Sequence, residues 1–97
     1  MALPKSRMIF GQRWKIVVTD ELPEHVMGLC QKEEKKLYIS KKINKEDVLH
    51  TLIHEMCHAL IHRISLDQAL HHEMEEIIVD SFATMMTECF HISPKKQ

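Results

Sequence analysis

Apolar positions alternate in short runs through the first half of the chain and recur at helical spacing through the second. Arg13 to Thr19 (Arg-Trp-Lys-Ile-Val-Val-Thr) is rich in β-branched and aromatic residues and predicts a strand, which Asp20-Glu21-Leu22-Pro23 breaks. Val26 to Gln31 and Lys35 to Ser40 predict two further short strands around Lys32-Glu33-Glu34, and so a hairpin. In the second of these, Leu37 and Ile39 alternate with Lys36, Tyr38 and Ser40, which gives one apolar face. Asn44 then offers a helix N-cap, and Glu46 and Asp47 favour the positive end of a helix dipole. The helix is expected from Lys45 to about Ile64, with Leu49, Leu52, Ile53, Met56, Cys57, Leu60 and Ile64 as its apolar arc. A second helix is expected from about Asp67 or Ala69 to Phe90. Its main arc reads Leu70, Met74, Ile77, Ile78, Phe82, Met85 and Cys89, with a lesser apolar flank at Val79, Ala83 and Met86.

These elements predict one small α+β domain over residues 1–97, a short antiparallel-rich sheet of about three strands packed on two helices. Residues 1–7 and 93–97 are expected to be mobile arms. A chain of 97 residues can bury one modest core, and the seven methionines read as filling for it. Its net charge of -1 creates no overall field toward nucleic acid or an anionic membrane, so neither is expected as a partner. The lysines at 32, 35, 36, 41, 42 and 45 are interspersed with glutamates and read as a solvated face. No apolar run approaches the roughly 20 residues of a membrane span, and Met1 to Phe10 is too polar for a signal peptide. Cys30, Cys57 and Cys89 form no C-x-x-C pair; an odd, scattered set suits free thiols in a reducing compartment, and a cytoplasmic location is expected.

Chemistry concentrates at His54-Glu55-Met56-Cys57-His58, an H-E-x-x-H string inside the first helix. Residues four apart on a helix are neighbours, about 6 Å apart along the axis. Both imidazoles can therefore reach one metal ion, with Glu55 beside them to take a proton from water activated there. On the helical wheel these three fall opposite the apolar arc. Two histidines do not complete a catalytic zinc site, which has three protein ligands and one open position. Glu76, on the second helix, is the preferred third donor. Asp80, one turn later, is placed to hydrogen-bond the back of a ligand imidazole. His71 and His72 stay open as alternative third donors. His62 continues the row but lies two turns from His54, too far to share its ion. His50, His62, His71, His72 and His91 otherwise read as solvated or structural, and Cys57 as a buried thiol. Two imidazoles and a carboxylate prefer zinc, so one Zn²⁺ is the expected cofactor.

His54-Glu55-Met56-Cys57-His58 followed by Glu76-Ile77-Ile78-Val79-Asp80-Ser81-Phe82-Ala83 resembles the gluzincin pattern, H-E-x-x-H then E-x-x-x-D. The Phe82-Ala83 ending is similar to the ImmA/IrrE-type metallopeptidases and the small minigluzincin proteases. The resemblance covers about residues 35 to 86. It implies a zincin-like domain, with a strand-rich upper sheet, an active-site helix and a glutamate helix. It also implies zinc on His54, His58 and Glu76, Glu55 as general base, and Asp80 in support of the metal ligands. SprT-like proteases resemble His54 to Leu60 equally well and take a third histidine from a later segment, which keeps His71 and His72 in play; this chain has no glycine beside either.

The expected activity is hydrolysis of a protein or peptide substrate, with Tyr38, Arg63 and His91 as candidate oxyanion donors and the edge beside residues 35–40 as a place for a substrate strand. Two other classes compete. The same site kept for folding would make a zinc-stabilised binding module, against which the intact Glu55 argues. A nucleic-acid-associated protein would use the lysine-rich hairpin, against which the net charge argues.

Overall fold

In the computed structural model, which describes residues 3–89, the chain forms four strands and two helices. The strands are β1 (Ser6–Ile9), β2 (Gln12–Thr19), β3 (Gly28–Gln31) and β4 (Lys36–Ser40); the helices are α1 (Lys45–Arg63) and α2 (His72–Cys89). A single turn of 3₁₀ helix, Leu66–Gln68, lies between the helices.

The sheet has the order β1-β2-β4-β3. Its outer pairs, β1/β2 and β3/β4, are antiparallel and its central pair, β2/β4, is parallel. It is thus a mixed sheet with one strand more than expected. The addition is β1, which converts part of the expected arm 1–7 into a hairpin strand. Phe10 and Gly11 join it to β2, both at positive φ (49° and 86°), and a two-residue turn of that kind matches the twist of the strands it connects. Residues 1–2 of the expected arm and the tail 93–97 lie outside the described residues. The β3/β4 hairpin closes through Lys35 at φ 55°, a conformation that costs a non-glycine residue about 1–2 kcal/mol; the Glu33 amide donates to Gln31 Oε1 at 3.2 Å within the same turn.

The core lies between one face of the sheet and α1. Trp14, Ile16, Leu37, Ile39 and Ile9 pack with Leu52 and Ala59 of α1. Full burial of an aliphatic side chain of this size contributes about 1.5–3 kcal/mol, and Leu37 and Ile39, at 0% and 1% exposure, make β4 the natural inner strand. Asn44 stands at the N-cap of α1, but only its backbone carbonyl is used, accepting from the Asp47 amide at 2.9 Å.

Both helices turn differently from their expected arcs. On α1 the buried residues are Thr51, Leu52, Glu55, Ala59 and Ile61, while Leu60 and Ile64 are exposed. On α2 they are Glu75, Val79 and Ala83, while Met74, Ile77, Ile78, Phe82 and Met85 face outward. The expected main arc of α2 is therefore its outer surface. Val79 and Ala83 are small enough to let α2 approach α1 closely, and that contact, not the count of large apolar residues, sets the rotation. α2 also begins at His72, later than expected, because Ser65 at φ 64° and the 3₁₀ turn interrupt the chain. Among the described residues no helix is long and apolar enough to cross a membrane.

Candidate metal centre

α1 carries His54 and His58 one turn apart, with ring centroids 5.0 Å apart. Their Nε2 atoms face one carboxylate from α2: His54 Nε2 is 3.5 Å from Glu76 Oε1, and His58 Nε2 is 3.1 Å from Glu76 Oε2. Donor atoms of the three residues all lie within 4.8 Å of one another, a group positioned to hold a metal ion. Ligand atoms about 2.0–2.1 Å from a tetrahedral zinc are about 3.3 Å from each other; the two imidazole–carboxylate separations are of that size, each to a different oxygen of Glu76. One carboxylate shared by two protonated imidazoles would give similar distances. That state is disfavoured, because burial and then the adjacent His58 hold His54 below its ordinary pKa.

No other such group occurs among the described residues. His72 lines the cleft without joining the group, and His71 is exposed. Asp80 lies beside the expected imidazole, its Oδ1 3.6 Å from His54 Nδ1 and equally 3.6 Å from His50 Nε2, with a side chain 62% exposed.

The pair has a closer partner that is not among the residues expected from the sequence. Glu75, buried to 6% exposure, places Oε2 at 2.6 Å from His58 Nδ1. A proton on Nδ1 donated to that carboxylate leaves the Nε2 lone pair directed at the donor group, which fixes both tautomer and ring. A sequence signal for it existed: Glu75, Val79 and Ala83 follow one another at i, i+4, i+8, so the stripe that buries two small apolar residues buries a carboxylate too.

Glu55 corrects a second expectation. It is on the buried face of α1, one turn after Thr51, and only 7% exposed. Burial pushes its carboxyl up to about 7, with His58 opposing the rise and Glu76 adding to it. A carboxyl poised there can both take and return a proton near neutral pH.

These side chains line a cleft with two lobes of about 390 and 270 Å³, each large enough to receive side chains of a bound peptide. Lys32 and His72 border the first, His25 and His50 the second, and Gly28, His54 and Glu55 belong to both. β3 forms the wall. It is an edge strand, paired only with β4, whereas residues 36–40 lie inside the sheet between β2 and β3. The expected free edge at 35–40 is therefore replaced by β3.

The candidate oxyanion donors do not gather here. Tyr38 is in register with Val17 and Leu29, on the face opposite to Leu37 and Ile39 and so away from the helices. Arg63 borders a separate depression with His62 and Asp67. His91 lies outside the described residues. His62 is engaged elsewhere: its Nδ1 is 3.1 Å from Asp67 Oδ2, and this hydrogen bond is the main cause holding the Asp67 carboxyl low. Cys57 is half-buried, which raises its thiol to about 11. Comparison with protein-family models, with curated proteins and with solved structures finds no match to this chain.

Proposed function

We propose that this chain is a zinc-dependent endopeptidase with a gluzincin-type centre. One observation carries the reading: His54, His58 and Glu76 converge within 4.8 Å beside a buried Glu55, in a cleft walled by an unpaired strand edge.

His54 Nε2, His58 Nε2 and a Glu76 oxygen are the atoms that would hold the ion. Zinc bound there supplies Lewis acidity, which polarises a peptide carbonyl and makes water easier to deprotonate. Glu75 holds the proton on His58 Nδ1, so that Nε2 stays a donor. Asp80 stands within a small side-chain movement of the same role toward His54. Glu55 accepts a proton from the attacking water and passes it to the nitrogen of the leaving amine. Substrate adds as a strand to the free edge of β3; main-chain hydrogen bonds supply affinity there, and the two lobes receive side chains on either side of Glu55.

Elemental analysis of the purified protein should find one zinc per chain. Glu55→Gln should keep that zinc and lose about 10²–10⁴-fold in hydrolysis of a peptide library. Equal cleavage by variant and wild type removes Glu55 from the mechanism. Stoichiometric zinc without hydrolysis by the wild type would leave the second reading, a zinc-stabilised binding module.

A further inference from the structure

We infer that Gly28 is a positioning residue for Glu55, a role that rests on the peptidase reading and deepens it. Gly28 opens β3 and is in register with Ile39 of β4. Its backbone is not in the left-handed region, so nothing in its dihedrals demands glycine; space does. A Cβ at position 28 would lie 2.8 Å from Thr51 Cγ2 and 3.0 Å from both Cγ and Oε2 of Glu55. Contacts that short require something to move.

Thr51 is a poor candidate to yield, being β-branched, 4% exposed and mid-helix, where its χ1 choices are few. Glu55 has the freer side chain, so an added methyl displaces the carboxylate. The position matters because Gly28, His54 and Glu55 are the residues common to both lobes of the cleft. They form the saddle over which a peptide paired with β3 must pass. The missing side chain thus lets the edge strand rest directly on the general base and fixes where that base meets the substrate. A catalytic group misplaced by about 1 Å can lose about 10²-fold in rate.

The test combines turnover, zinc affinity and a thermal cycle on the chelated protein. Gly28→Ala should lower kcat by about 10²-fold while zinc affinity stays at the wild-type value, since no ligand is touched. In the metal-free protein it should lower Tm by about 4–8 °C. That loss should shrink when Thr51→Ser removes the clashing methyl, and shrink again in Glu55→Ala, where the new methyl enters the vacated space and only the Thr51 contact remains. Thr51→Ser should also restore part of the turnover of Gly28→Ala. Additive Tm effects at positions 28 and 55, an unchanged kcat, or a fall in zinc affinity parallel to the fall in turnover would overturn the inference. If Gly28→Ala does not fold, the Gly28→Ala/Thr51→Ser background decides: a gain in stability on adding Glu55→Ala supports the contact and no gain refutes it. If the wild type hydrolyses nothing, the peptidase reading falls on its own, and the thermal cycle still decides whether position 28 bears on Glu55.

Discussion

The two helices contribute side chains to one group of candidate donors from unequal support. α1 is braced on both sides, by the sheet beneath it and by α2 against it, and it places Leu52 and Ala59 in the main core. α2 packs chiefly on α1, through a stripe of Glu75, Val79 and Ala83, and leaves Ile77 at 65% and Met74 at 50% exposure. His54 and His58 therefore come from a fixed platform, and Glu76 from the less anchored element. A metal ion bridging the two would do for α2 what the sheet does for α1. In a domain this small, binding energy of that kind is also folding energy.

Zinc removal gives the largest expected break between the helices. Zinc at 100 times its Kd stabilises the bound state by about 2.7 kcal/mol, about 10²-fold in hydrogen exchange. Chelation should therefore speed amide exchange across residues 72–89 by up to that factor and leave the buried turns of α1 much less changed. Equal loss of protection in both helices, or none in α2, would show that the ion does not tie α2 to the domain.

Next in size is a pH effect that belongs to α1 alone. The Glu55 carboxyl is raised from 4.5 to about 7, mainly by burial. A raised carboxyl contributes stability that is complete below its unfolded value and lost as pH rises through its folded value. In the metal-free protein Glu55 should thus weaken the fold by roughly 2 to 3 kcal/mol between pH 5 and pH 8. His54 acts oppositely: its lowered pKa costs stability as pH falls below the ordinary histidine range. The decisive quantity is therefore the difference between wild type and Glu55→Gln in denaturant titrations at the two pH values. The glutamine variant should gain on the wild type toward pH 8; a gap that does not change with pH would mean that Glu55 ionises normally.

The same contrast between helices explains what could be read from the chain. α1 was legible because Asn44, Glu46 and Asp47 mark its start and the H-E-x-x-H spacing needs only helical geometry. Glu76 was legible from the order of the motifs, since it lies on a segment long enough to be a helix whatever its rotation. The rotation was not. Hydrophobic arcs weigh Met74, Ile77, Ile78, Phe82 and Met85 above Val79 and Ala83, whereas close helix contact selects the small residues, and Glu75 enters the interior with them. Two strand features were hidden for other reasons. Nothing local signals a turn that holds Phe10 at positive φ, and the placement of β4 between β2 and β3 is a non-local pairing that no short window encodes. With β4 inside, the free edge passed to β3, the strand that carries the glycine against Glu55.

The finest comparison lies within α2, between the two carboxylates that approach the far nitrogens of the imidazole pair. Glu75 is 2.6 Å from His58 Nδ1 and nearly buried; Asp80 is 3.6 Å from His54 Nδ1, largely exposed, and approached equally by His50. A buried carboxylate is poorly replaced by water, whereas water can stand in for an exposed one. Glu75→Gln preserves shape but offers His58 Nδ1 an amide in place of a charge, and removal of such a partner typically costs about 10–100-fold in metal affinity. Asp80→Asn should cost less than Glu75→Gln, and titration of the two variants against a competing zinc chelator will rank them. The reverse order would mean that zinc draws Asp80 onto His54 and that the bound centre leans on the exposed carboxylate instead of the buried one.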